Sequence, residues 1–166
     1  MDPAHNLPAT EMVALRKAAE RDLAELVGRF VFAYSRLATS IHLCVGWFDH
    51  GSALGARRKA ERLGTAELLD LISRQVSVKL CSDQAGAEAY GEWVRKAHEM
   101  REVRNILVHS RCAVVGSGDY LHAVSTPVLV EPSREHRFTA ADIAPAIETC
   151  EALSVRLGIL RKAHQL

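Results

Sequence analysis

The sequence predicts a mainly α fold, a bundle of four long helices with a small β-element inserted before the last one. Three observations carry this reading. Apolar residues recur at steps of three and four through the first two thirds of the chain. That period gives way between Cys112 and Phe138 to short β-branched runs broken by Gly and Pro. It then returns, from Ile143 to Leu160, for one final amphipathic stretch.

The first helix is marked by Ala19, Leu23, Leu26, Phe30, Ala33, Leu37, Ile41, Cys44 and Phe48, which share one helical face. No proline interrupts Glu11 to Asp49, so one very long helix or two abutting ones both fit, with Gly28 the candidate joint. Asp49-His50-Gly51-Ser52 closes it. A second helix runs from Arg57 to Lys79 through Leu63, Leu68, Leu69, Leu71, Ile72 and Val76. Gly64-Thr65 punctuates it, with Thr65 a candidate N-cap. The third starts at Ser82 or Asp83 and reaches Val108 on a face of Ala87, Tyr90, Val94, Ala97, Val103 and Leu107. Trp47 and Trp93 fall inside these patterns and read as core or interface anchors.

Cys112 to Val115 and Tyr120 to Val124 flank Gly116-Ser117-Gly118 as strand, turn and strand. Val128 to Val130 follows, closed by Glu131-Pro132-Ser133, and His136 to Phe138 forms a last short strand. Thr139 or Asp142 opens the final helix, where Pro145 is tolerated in or near the first turn. Its buried stripe is Ile143, Ile147, Cys150, Leu153, Leu157 and Leu160. Residues 1–166 are thus expected to form a single domain, with residues 1–10 a flexible N-terminus and residues 112–138 a β insertion.

Composition narrows the function classes. The chain is 48% hydrophobic and 25% charged, ordinary values for a globular protein. A formal net charge of +1 offers no whole-chain attraction to nucleic acid or membrane, although a local basic patch is still compatible with it. The apolar run from Leu26 to Phe48 is broken by Arg29, Arg36 and His42 and reads as a core helix rather than a membrane span. The polar opening, with Pro3 and Pro8, does not read as a secretory signal, and none is expected. Cys44, Cys81, Cys112 and Cys150 form no Cys-x-x-Cys pair and read as free thiols in a reducing cytoplasm. No Gly-rich phosphate loop, His-Glu-x-x-His helix or nucleophile elbow is present, and no metal or cofactor is expected.

One constellation carries chemistry: Arg104-Asn105-Ile106-Leu107-Val108-His109, which ends the third helix. The spacing from Arg to His is by itself uninformative, since about two such matches arise by chance in a chain of this composition. Arg36 to His42 also satisfies it, without an Asn and in mid-helix. The residue types say more. A guanidinium is always charged and holds two phosphate oxygens at once. An imidazole gives or takes a proton near neutrality. Asn105 and His109 are four apart on one helix face, with Arg104 one step round. Asn105 is placed to fix the His tautomer or to hold a phosphate oxygen. As a purely structural alternative, Arg and His near a helix C-terminus complement the dipole and cap carbonyls.

The Arg-Asn pair, its place at the end of the third long helix, and the β insertion and amphipathic helix that follow resemble the standalone bacterial HEPN (higher eukaryotes and prokaryotes nucleotide-binding) proteins. The resemblance spans roughly Leu23 to Leu160. It implies a metal-independent endoribonuclease with Arg104 and His109 catalytic and Asn105 supporting. It also implies a homodimer in which two copies of the motif face a shared cleft, where Arg101 and Arg111 would add positive charge for RNA and Glu102 would steady one arginine. The setting implied is cytoplasmic, in defence or toxin–antitoxin biology, with any antitoxin partner unidentified. A HEPN toxin group that is modified by nucleotidyltransferase antitoxins carries Tyr two positions after the His. Here Arg111 stands there, so that route has no support. Two other readings accompany the enzyme: a non-catalytic HEPN-like module that binds RNA, a nucleotide or a protein, and a structural helical dimer. The remaining histidines (His42, His98, His122, His136 and His164) show no ligating spacing.

Overall fold

The computed structural model describes residues 8–48, 62–109, 111–115, 120–125 and 134–164. Among them the chain is mainly α, with four helices and a small β-element ahead of the last: α1 (Ala9–Phe48), α2 (Thr65–Lys79), α3 (Gln84–His109), β1 (Arg111–Val115), β2 (Tyr120–Ser125), β3 (Arg134–Thr139) and α4 (Ala140–Ala163). Two compact units divide it. One takes Met1–Val31 and Val103–Ile147, and carries the sheet. The other takes Phe32–Glu102 and Glu148–Leu166, and is helical.

α1 is continuous for 40 residues, straight through Gly28. It reaches back to Ala9, where the Pro8 carbonyl accepts from the Glu11 and Met12 N–H groups at 2.9 and 3.1 Å. Pro8 has no N–H to lose at this start, and Glu11 places an acid in the first turn, where the helix dipole favours it.

In the helical unit the core is built by Leu37, Ile41, Cys44 and Phe48 of α1, Leu68, Leu69, Ile72 and Val76 of α2, Tyr90, Trp93 and Ala97 of α3, and Cys150, Leu153, Leu157 and Leu160 of α4, all buried. Most of the positions expected on these helices are therefore the packed ones, while Leu63, Leu71 and Ala87 are half-buried. Trp93 is fully buried and donates from Nε1 to the Leu153 carbonyl at 2.8 Å, tying α3 to α4. Trp47 lies nearer the surface, with the Arg161 guanidinium 4.1 Å from its ring centroid. Between α3 and α2, His98 faces Asp70 at 3.6 Å. Burial pushes the Cys44 and Cys150 thiols up to about 12, so both are inert, while Cys81 is exposed.

Among the described residues the second helix begins at Thr65, with a different cap from the one expected. Gly64, not Thr65, is the N-cap, and the Glu67 carboxylate reaches back to accept its N–H at 2.7 Å. This is the reciprocal half of a capping box, which Gly can join because only its backbone is needed. Residues 57–61 lie outside the described residues. Lys79, in the last turn, donates to the Phe48 carbonyl and covers the Phe48 ring.

α3 starts on Asp83, which resolves the choice between Ser82 and Asp83. Its Oδ1 accepts the Gly86 N–H at 2.9 Å, and its Oδ2 meets His164 Nδ1 of the α4 end at 2.6 Å. The His164 ring in turn stands edge-on to Tyr90, which stands edge-on to Phe48. The Gly86 N–H, then His164, hold the Asp83 carboxyl below its usual range. A group depressed in the folded state contributes stability above its unfolded pKa and loses it as pH falls through the folded value. Thermal stability is therefore expected to drop below about pH 4, and Asp83→Asn, which keeps the cap but not the charge, should flatten part of that drop. Gly86 is equally specific: a methyl there would sit 2.5 Å from Asp83 Oδ2 and 2.6 Å from His164 Nδ1. Gly86→Ala should therefore lower the melting temperature, although Ala in an open helix position gains roughly 1 kcal/mol.

In the sheet-bearing unit, Leu23 and Phe30 of α1, Leu107 of α3, and Ile143, Ala146 and Ile147 of α4 are buried. The strands form an antiparallel sheet in the order β1-β2-β3. Register pairs Arg111 with Val124 and Val115 with Tyr120, then Tyr120 with Thr139 and Ser125 with Arg134. The expected hairpin is present and starts at Arg111 rather than Cys112. The short strand at His136 to Phe138 is longer, at Arg134–Thr139, and pairs with β2. The Gly116-Ser117-Gly118 turn and the Val128 to Val130 run lie outside the described residues. Thr139 then caps α4, with its N–H and hydroxyl both donating to Asp142 Oδ2 at 2.7 Å. Pro145 lies inside α4, in the second turn rather than the first, where it has no N–H to give to the Ala141 carbonyl.

Candidate active site

The last turns of α3 carry the site. Leu107 points into the core and anchors this end of the helix, while Arg104, Asn105 and Ile106 are half-buried and Val108 and His109 are exposed. His109 is the last helical residue and places a basic ring where the C-terminal dipole favours one. Ser110 lies outside the described residues.

The structure brings Arg104, Asn105 and His109 together through one atom. Arg104 Nη1 donates to Asn105 Oδ1 at 3.2 Å and lies 3.0 Å from His109 Nε2. The pairing differs from the one that helical spacing suggests. Asn105 and His109 are the i, i+4 pair, yet the ring is held by Arg104, five residues back. A long guanidinium at a helix end reaches further round the cylinder than an amide does. Because a guanidinium only donates, His109 Nε2 must be the acceptor, so the ring is neutral with its hydrogen on Nδ1. Arg104, not Asn105, fixes the tautomer, and Asn105 orients Arg104.

Arg101 does not join this set. Its Nη2 pairs with Glu102, and its Nε is buried without a hydrogen-bond partner among the described residues. Glu102 thus steadies Arg101 rather than Arg104. Arg111 opens β1, where its backbone pairs with Val124; its side chain lies outside the described set.

Comparison of the chain with family models, curated proteins and solved structures finds no match. The functional reading therefore rests on the residues themselves. Among the described residues no helix is long and apolar enough to cross a membrane, and no cluster of three His, Cys, Asp or Glu side chains is gathered. Of the other histidines, His98 and His164 have acquired carboxylate partners and His136 stacks on Phe138 at 6.4 Å. The Asp83–His164 pair joins residues 81 apart, a separation at which no local sequence signal exists.

What the trio can do follows from its parts. One guanidinium offers a fixed cationic fork with hydrogens beyond those on Nη1. One neutral imidazole presents its basic nitrogen beside that fork. The pair is exposed enough for a polymer to reach, and Asn105 keeps the fork from swinging away.

Proposed function

We propose that this chain is a HEPN-like protein that acts as a metal-independent endoribonuclease, in the cytoplasm and as a homodimer with two copies of the motif across a shared cleft. The observation that carries the reading is Arg104 Nη1 set between Asn105 Oδ1 and His109 Nε2. That contact puts a phosphate-binding cation and a proton-transfer group within one bond of each other at an exposed helix end.

In the proposed reaction Arg104 binds the scissile phosphate and stabilises the charge that builds on its non-bridging oxygens. The substrate's 2′-hydroxyl attacks the adjacent phosphorus and loses its proton, while the bond from phosphorus to the 5′ oxygen breaks and that oxygen gains one. His109 serves one of those two transfers in each protomer. The products are a 2′,3′-cyclic phosphate and a free 5′-hydroxyl, and DNA is left intact for want of the 2′-hydroxyl. Arg111 adds charge for binding the RNA backbone. A role in defence or toxin–antitoxin biology belongs to the same proposal by family analogy.

The test is incubation of purified protein with single-stranded RNA and with DNA of the same sequence, in EDTA. Cyclic-phosphate ends on cleaved RNA beside intact DNA are expected. RNA left as intact as in a His109→Ala control would overturn the reading for that substrate. A monomer in light scattering at the active concentration would remove the shared cleft.

A further inference from the structure

The contact between Arg104 and His109 has a consequence for when the site can work, and it rests on the ribonuclease reading above. An imidazole nitrogen that accepts a hydrogen bond cannot at the same time carry a proton, since two N–H groups would then face each other. His109 Nε2 is 3.0 Å from Arg104 Nη1. The second hydrogen of that Nη1 goes to Asn105 Oδ1 at 3.2 Å. Both hydrogens of Nη1 are therefore spent within the protein, and the basic nitrogen of the ring is engaged. In this arrangement the trio is self-complementary and closed.

We infer that a phosphate group on Arg104 is the key that opens the site: anion binding draws Nη1 off His109, and the freed Nε2 takes up a proton. The guanidinium turns its fork to two phosphate oxygens, which are stronger acceptors than a neutral ring nitrogen. Nε2 then gains a proton from solvent and donates to the same phosphate, so that one anion bridges two cations. Proton uptake and anion binding are thereby linked, and each favours the other to the same extent. A site that charges its histidine only when a phosphodiester is seated keeps its general acid out of play in the empty protein.

Among the described residues Arg104 is the one group hydrogen-bonded to the His109 ring. In the same unit Arg16 pairs with Glu20 and Arg21 with Asp22 on α1, and Asp142 accepts from Thr139 at the start of α4. On the preceding turn of α3, Arg101 and Glu102 pair with each other.

The probe is inorganic sulfate, a phosphate mimic that does not itself titrate near neutrality. Long-range proton–nitrogen NMR spectra of the full chain near pH 7 report which ring nitrogen of His109 carries hydrogen. Without sulfate, His109 should show a protonated Nδ1 and a bare Nε2; at saturating sulfate the Nε2 resonance should move to the protonated position. Arg104→Ala should show mixed tautomers and no response to sulfate. By the same linkage, sulfate should bind up to roughly a hundredfold tighter at pH 6 than at pH 8, tenfold per pH unit for one linked proton, and His109→Ala should abolish that ratio. A free protein with its hydrogen on Nε2, or an Nε2 unmoved by saturating sulfate, would overturn the inference. RNA cleavage with an unmoved Nε2 would leave the ribonuclease reading standing alone. A coupled Nε2 shift with intact RNA would do the opposite.

Discussion

His109→Ala is expected to lower RNA cleavage by about 10²–10⁴-fold, the usual worth of a positioned general acid or base. Arg104→Ala should cost on the order of 10²–10³-fold, as does loss of one group that stabilises transition-state charge. Arg104→Lys should not rescue it. A lysine is a point charge without the fork, and it can neither hold two phosphate oxygens nor bridge Asn105 and His109 at 3.2 and 3.0 Å. Because the two residues act as a unit, the double variant should be no worse than about the poorer single one. His109 is exposed and Arg104 half-buried, so these variants should melt within a few degrees of the parent. Initial cleavage rates beside thermal melts check both halves. An His109→Ala variant that cleaves at the parental rate would remove His109 from the chemistry.

How much of this was legible in the sequence differs from element to element, for physical reasons. The stripe of α4, from Ile143 to Leu160, is buried at every position named from periodicity alone, because a helix that packs on one side must repeat its apolar residues at that period. The start of α2 was blurred by one residue. Gly64 and Thr65 are both plausible caps in isolation, and the Glu67 side chain decides between them by bonding the Gly64 N–H. β3 was foreshadowed only as His136 to Phe138, since its ends are fixed by pairing with β2 from Tyr120↔Thr139 to Ser125↔Arg134, which no local pattern encodes.

The nearness of Arg104, Asn105 and His109 was legible in the sequence, and their wiring less so. Helical geometry pairs Asn105 with His109, whereas the contact that forms is Arg104 with His109, because at the last turn side-chain reach matters more than face. Arg101, grouped with the site by its place one turn earlier, is instead paired with Glu102. Sequence proximity states which groups are near; it does not say which acceptor each donor selects.

The same limit separates the two tryptophans, which occupy equivalent places in helical apolar patterns and should differ sharply on substitution. Trp93 is fully buried and its indole N–H reaches the Leu153 carbonyl. Trp93→Ala empties a large space in the helical unit and should cost about 3–5 kcal/mol, or a fall of roughly 10 °C in melting temperature. Trp93→Phe keeps most of the packing and loses the hydrogen bond, for about 1–3 kcal/mol. Trp47 sits closer to the surface with Arg161 over its ring, so Trp47→Ala should remove on the order of 1 kcal/mol from that contact. Thermal melts of the three variants rank them. If Trp93→Phe were as damaging as Trp93→Ala, the hydrogen bond rather than the filled volume would be holding α3 to α4. If Trp47→Ala were the worst of the three, burial of Trp93 would not be what sets the stability of the helical unit.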